Sequence, residues 1–200
     1  MLPTVYLAAE DEAGLAVGRK LIAEAPPLTV YREENANGYG QLKRKVGNFN
    51  QMGRNGLPVL MLTDLDNRTC PSGMIAEWLK APLNPGFLFR ICVREIDAWL
   101  MADRERFAEF LGIGVSRIAL KPEALSDPKA ELIRLSQTAA KREMRTGFKP
   151  LRSATIGPRH NEYLKEFVSG FWRPSVADKI APSLGRARYR IREIATQVIV

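Results

Sequence analysis

The sequence predicts an α/β fold: a central parallel sheet flanked by helices, followed by a mainly helical C-terminal region. Three observations carry this expectation. Residues 5–9 (VYLAA), 58–63 (PVLMLT) and 87–93 (FLFRICV) are apolar runs of strand length, as expected of parallel strands covered by helices on both faces. Segments of helical period lie between them. An acid stands at or just beyond the end of each run: Glu10, the Asp64-Leu65-Asp66 pair, and Glu95.

The elements follow in order. Residues 5–9 form the first strand. Residues 12–25 form a helix with Leu15, Ala16, Leu21 and Ile22 on one stripe, ended by Pro26-Pro27. Residues 28–31 make a short second strand. The polar, glycine- and asparagine-rich stretch 32–55 reads as a surface connection with a short helix at 41–51. Residues 58–63 are the central third strand. Pro71 starts a helix to residue 79, proline being favoured in a first turn. Asn84-Pro85-Gly86 turns the chain into the fourth strand, 87–93. A helix follows at once, with Ile96, Trp99 and Leu100 at i, i+3 and i+4. Asp127-Pro128 is a cap followed by a first-turn proline. Residues 152–161 read as loop, and 163–171 and 180–194 as helices.

At 200 residues the chain can build one sizeable core. The natural division is an α/β domain at 1–125 and a basic, mainly helical subdomain at 126–200 packed on it. The net charge of +8 lies wholly in the last stretch: residues 1–140 carry 17 basic and 17 acidic residues, residues 141–200 carry 13 and 5. A basic region beside an acidic crevice points to a polyanionic partner, nucleic acid foremost. No apolar stretch approaches the ~20 residues that span a bilayer, so no membrane association is expected. The start of the chain lacks the pattern of a signal peptide. Cys70 and Cys92 show no metal-type spacing and read as reduced thiols of a cytoplasmic protein.

The acids carry the chemistry. In an open parallel sheet, strand ends line the crevice where ligands bind. Carboxylates converging there repel one another, and a divalent cation is the usual remedy. On an extended chain Asp64 and Asp66 point the same way. Glu10 and Glu95 complete the site or build a second one, and Mg²⁺ or Mn²⁺ is the expected ion. The competing reading is that these acids only cap the following helices. Two further patterns share these residues. Glu10-Asp11 with Asp64 resembles a phosphoacceptor receiver domain but leaves Asp66 and Glu95 unused. Asp64-Leu65-Asp66-Asn67-Arg68-Thr69 resembles the nucleophile motif of haloacid-dehalogenase-like phosphatases, but on the third strand instead of the first.

Together, Glu10, Asp64-Leu65-Asp66 and Arg94-Glu95-Ile96-Asp97-Ala98-Trp99-Leu100 resemble a TOPRIM-like family of prokaryotic proteins whose hallmark is an acidic-x-acidic-Ala-Trp-Leu segment after a strand. Asp127-Pro128-Lys129 matches a further signature. The resemblance covers most of the chain and implies a TOPRIM fold, related to nucleases of the overcoming-lysogenization-defect type. It implies metal ligation by Glu10, Asp64, Asp66, Glu95 and Asp97, with Glu10, Asp64, Asp66 and Glu95 as catalytic residues. It also implies a phage-defence setting with an ATPase partner. The family's strand-one glutamate is followed by glycine, whereas here Asp11-Glu12-Ala13-Gly14 follows.

The expected activity is therefore metal-dependent phosphodiester hydrolysis. The alternatives are a non-catalytic subunit of an ATPase and a phosphatase or phosphoacceptor. Lys43, Arg44, Lys45, Lys129, Arg186 and Arg188 are the candidate nucleic-acid contacts, against the simpler reading of Lys129 as a solvated lysine. His160, the one histidine, is expected in a polar surface loop outside the site. Trp99 and Trp172 are expected in the core. Oligomeric state is left open.

Overall fold

The computed structural model describes residues 3–197. Four parallel strands, β1 (Thr4–Ala9), β2 (Thr29–Asn35), β3 (Val59–Asp64) and β4 (Phe87–Cys92), pair in the order β2-β1-β3-β4. Their alternating side chains divide the core between the two faces of the sheet. On one face Tyr6, Ala8, Val59, Met61, Phe87 and Phe89 pack against α2 (Tyr39–Arg54) and α3 (Pro71–Trp78). On the other, Val5, Leu7, Leu60, Leu62, Leu88 and Cys92 meet α1 (Glu12–Ala23) and the C-terminal helices. One core cluster runs from Val5 to Ala195, so the C-terminal helices share the sheet's interior. No described helix is long and apolar enough to cross a membrane.

Helix α1 lies close on β1 because two of its residues lack side chains. A Cβ on Gly18 would run into Leu7, and one on Gly14 would stand 2.8 Å from the Ala9 Cβ. Asp11 caps the helix, accepting from the Gly14 N–H at 2.9 Å. The other face needs bulk, and rings supply it: Phe87 stacks on Phe89 at 5.6 Å, with Trp78 tilted against Phe89 at 5.7 Å.

Beyond β4 the chain is helical. It forms α4 (Ile96–Met101), α5 (Arg104–Leu111), α6 (Pro128–Ser136), α7 (Arg142–Phe148), α8 (His160–Gly170), α9 (Pro174–Ala177) and α10 (Pro182–Gln197), with short 3-10 turns at Val115–Arg117 and Pro122–Ala124. Trp99 and Trp172 lie in the core as expected, tied by specific bonds. Trp99 Nε1 donates to Ser183 Oγ at 2.7 Å, and Trp172 Nε1 to the Trp99 carbonyl at 3.2 Å. These bonds fix α10 and the end of α8 onto α4.

Three boundaries differ from expectation. β2 runs on to Asn35, where only residues 28–31 read as strand. Its continuation, Arg32-Glu33-Glu34-Asn35, is polar because it lies at the open edge of the sheet. α2 covers Tyr39–Arg54, longer than 41–51, because Leu42, Val46 and Phe49 form a buried stripe on an otherwise polar helix. α8 begins at His160, inside the stretch expected to be loop. Both cysteines are free thiols, Cys70 exposed and Cys92 buried.

Candidate functional site

The connection after β1 leads to one side of the sheet, and the one after β2 crosses back over β1 to β3. The crevice at the C-terminal ends of β1 and β3 is therefore the topological switch point, where open α/β sheets bind ligands. Glu10 follows β1, and Asp64 closes β3. A cavity of about 170 Å³ opens there. Glu10, Asp64 and Asp97 enter its wall from the sheet side, Lys129 from α6, and His160 and Asn161 from α8.

Each acid has a distinct set of partners. One Glu10 oxygen accepts from the Thr63 hydroxyl and from the Asp64 N–H at 3.1 Å. Asp64 Oδ1 accepts from the Ile96 N–H at 2.8 Å and so caps α4. Glu95 turns to α6, accepting from the Lys129 N–H at 2.7 Å and from Lys129 Nζ at 3.3 Å. The capping role is thus real, but Asp64 and Glu95 cap helices other than the one the strand-end reading paired them with. It also leaves charge over. Asp97 is wholly buried, and neither of its carboxylate oxygens has a hydrogen-bond partner. Its near neighbour is His160 Nε2, 3.5 Å from Oδ1.

Asp66 stands apart. Its φ of 52° puts it in the left-handed region, its side chain is 42% exposed, and it lies 3.7 Å from the Arg68 guanidinium. The same-side rule for i and i+2 holds on extended backbone, and β3 ends at Asp64. Among the described residues, no group of three or more His, Cys, Asp or Glu side chains is set as a ligand shell.

Crowded acids shift one another. Burial pushes the Asp64 carboxyl well above the usual aspartate range; Lys129 opposes this, while Glu10 and Asp97 add to it. Burial also raises Glu10, against the Thr63 and Asp64 bonds and with help from Asp66 and Asp11. Glu95 is raised by burial, held back by Lys129. For Lys129 burial disfavours the charge, but Asp97, Asp64 and Glu95 outweigh it and hold the ammonium firmly protonated.

Two residues differ from their expected setting. Lys129 is no solvated lysine: its side chain is 31% exposed and its head sits among three carboxylates, because Glu95 draws the N-terminus of α6 to the cavity. His160 is no surface residue: it is 2% exposed, edge-on to Phe148 at 5.5 Å, and lines the cavity opposite Asp97. The sequence signal for His160 was weak, one polar residue at the start of an apolar helical stripe. Its meeting with Asp97 spans 63 positions of chain.

The basic candidates are dispersed. Lys43 pairs with Glu77 and Lys45 with Glu34, while Arg44 is exposed. Arg188 faces inward, its guanidinium held by Asp178 and, at 2.7 Å, by Glu24 near the end of α1. Arg186 is exposed on α10. Set against protein-family models, curated proteins and solved structures, the chain matches none.

Proposed function

We propose that this chain is a divalent-metal-dependent nuclease of TOPRIM type, hydrolysing phosphodiester bonds at the β1–β3 cavity. The observation that carries the reading is the buried, unpartnered carboxylate of Asp97 beside Asp64 and Glu10. A buried charge without a partner is costly. Lys129 and the edge of His160 offset it only in part, and a cation completes the balance. Mg²⁺ or Mn²⁺ needs only one or two protein carboxylates and takes waters and phosphate oxygens for the rest. At ~30 Å³ per water, about 170 Å³ holds five or six waters' worth of ligand. That is room for a partly hydrated ion and one phosphate group, with the rest of the substrate outside.

When bound, the ion supplies Lewis acidity toward a phosphate oxygen. Glu10 and Asp64 would hold it through the oxygens that their structural bonds leave free, with Asp97 adding charge behind them. The Thr63 and Ile96 donors fix those two carboxylates in orientation. Lys129, tethered by Glu95, presents a fixed positive charge to a phosphate gaining negative charge in the transition state. His160, braced by Phe148 and 3.5 Å from Asp97, sets its imidazole on the cavity wall. A covalent phosphoaspartate is the weaker reading. Asp64 Oδ1 is committed to capping α4.

Cleavage of supercoiled plasmid and of single-stranded DNA and RNA, with Mg²⁺, Mn²⁺ or EDTA, tests the proposal. We expect metal-dependent cutting by the wild type, reduced ~100-fold or more in Asp64→Asn. A wild type that cuts nothing under any condition would turn attention to a docking role on an ATPase.

A further inference from the structure

On β4, Leu88, Arg90 and Cys92 share one face of the sheet. Leu88 and Cys92 belong to the core, and Arg90 takes the position between them under α10. Arg90 is partly buried, and its Nε has neither solvent nor a hydrogen-bond partner. Among the described residues no carboxylate lies within ion-pair distance of it. Its charged neighbours are Arg186 and Arg190, four apart on one face of α10. These arginines, with Pro182, Gly185 and Tyr189, line an open depression of about 460 Å³. Tyr189 is 62% exposed beside them, with its hydroxyl hydrogen-bonded to Glu193. Two acids stand nearby. Glu193 accepts from Arg190, and Glu123, close enough to Arg186 to feel its charge, is held by the Ser183 N–H at 3.0 Å.

A half-buried guanidinium facing only like charge destabilises the fold. Burial and then the two neighbouring arginines weaken its hold on its proton. An anion in the depression relieves both effects, and the planar fork of arginine matches phosphate oxygens. An exposed aromatic ring among arginines adds a surface on which any base can stack.

We propose that Arg90, Arg186 and Arg190 form a phosphate-binding subsite for a single nucleic-acid strand, with Tyr189 stacking on one of its bases. The inference rests on the nuclease reading for its substrate class and assigns that substrate a second contact. Arg90 lies two residues before Cys92, which lines the cavity, a rise of ~6.6 Å along the strand.

Anisotropy of a short labelled single-stranded oligonucleotide, titrated in EDTA so that nothing is cut, tests the subsite. The Arg90→Gln/Arg186→Gln double variant is expected to bind ~10-fold or more weakly. Its salt slope should fall by ~1.4, at ~0.7 per lost phosphate contact. Tyr189→Ala, at an exposed position, should weaken binding ~5-fold or more. Arg186→Gln alone guards against a folding defect from Arg90. Unchanged affinity and slope in Arg186→Gln and Tyr189→Ala overturn the subsite. So does a wild type that takes up inorganic phosphate there but no oligonucleotide. Binding without metal-dependent cutting would sink the nuclease reading alone; cutting with binding indifferent to these variants would sink the subsite alone.

Discussion

Asp97 and Asp103 lie six residues apart, one on α4 and one just after it, and both are fully buried. Their surroundings are opposite. Asp103 is saturated: its Oδ2 accepts from the Arg173 N–H at 2.8 Å and Nε at 3.0 Å, and its Oδ1 from Nη2 at 2.7 Å. Asp97 has no hydrogen-bond donor at all. One aspartate is architecture, pinning the start of α9 to the start of α5. The other makes no hydrogen bond within the fold and faces the cavity. Burial alone does not mark a functional residue, since both share it; the partner list separates them.

The contrast can be broken in graded steps. Removing Asp103 should cost most. Asp103→Ala strands the Arg173 guanidinium and its backbone N–H. The loss should be about 3 kcal/mol, at the lower end for a buried pair because Arg173 is a third exposed. Calorimetry should show Tm falling by ~6–12 °C, while the proposed metal-dependent cleavage, measured per folded molecule, stays near its wild-type level.

Lys129→Met should come next. It removes the cation that separates Asp97, Asp64 and Glu95, and destabilises the protein by about 2 kcal/mol. Urea unfolding would measure this, and cleavage should fall alongside it. An unchanged midpoint would mean that water, not Lys129, screens the three acids.

Asp64→Asn should move the other way. The amide oxygen still caps Ile96, but the repulsion is gone. Functional sites trade stability for activity, and a gain of about 1 kcal/mol at neutral pH is expected. The sign follows from proton binding. Asp64 titrates higher in the folded protein than in the unfolded chain, so wild type gains stability as pH falls through that window. The variant cannot, and its advantage should vanish by pH ~4, near the unfolded aspartate value. An advantage that persists in acid would place its origin outside this carboxyl.

The smallest effect belongs to the exposed Lys43–Glu77 pair. Lys43→Ala should leave Tm within measurement scatter, as exposed pairs contribute little.

What the sequence revealed was what neighbours in the chain decide. The apolar runs of β1, β3 and β4 and the acids at their ends were legible, because strands covered by helices on both faces read as apolar runs and a strand end needs no distant information. The second half of β2 was not, since an edge strand tolerates Glu33 and Glu34. Asp66 was misplaced by one backbone angle, a left-handed turn that no side-chain pattern announces. Lys129 and His160 were undervalued because their settings depend on Glu95 and Asp97, groups that only tertiary packing brings near.

The cavity has a further property in time. Its acids come from the first half of the chain, but Lys129 and the wall formed by Thr155, Ile156, His160 and Leu164 come from the second. During synthesis the sheet and its carboxylates emerge well before that wall exists. A nascent or truncated chain therefore carries the acids before Lys129 and α8 have closed the cavity around them.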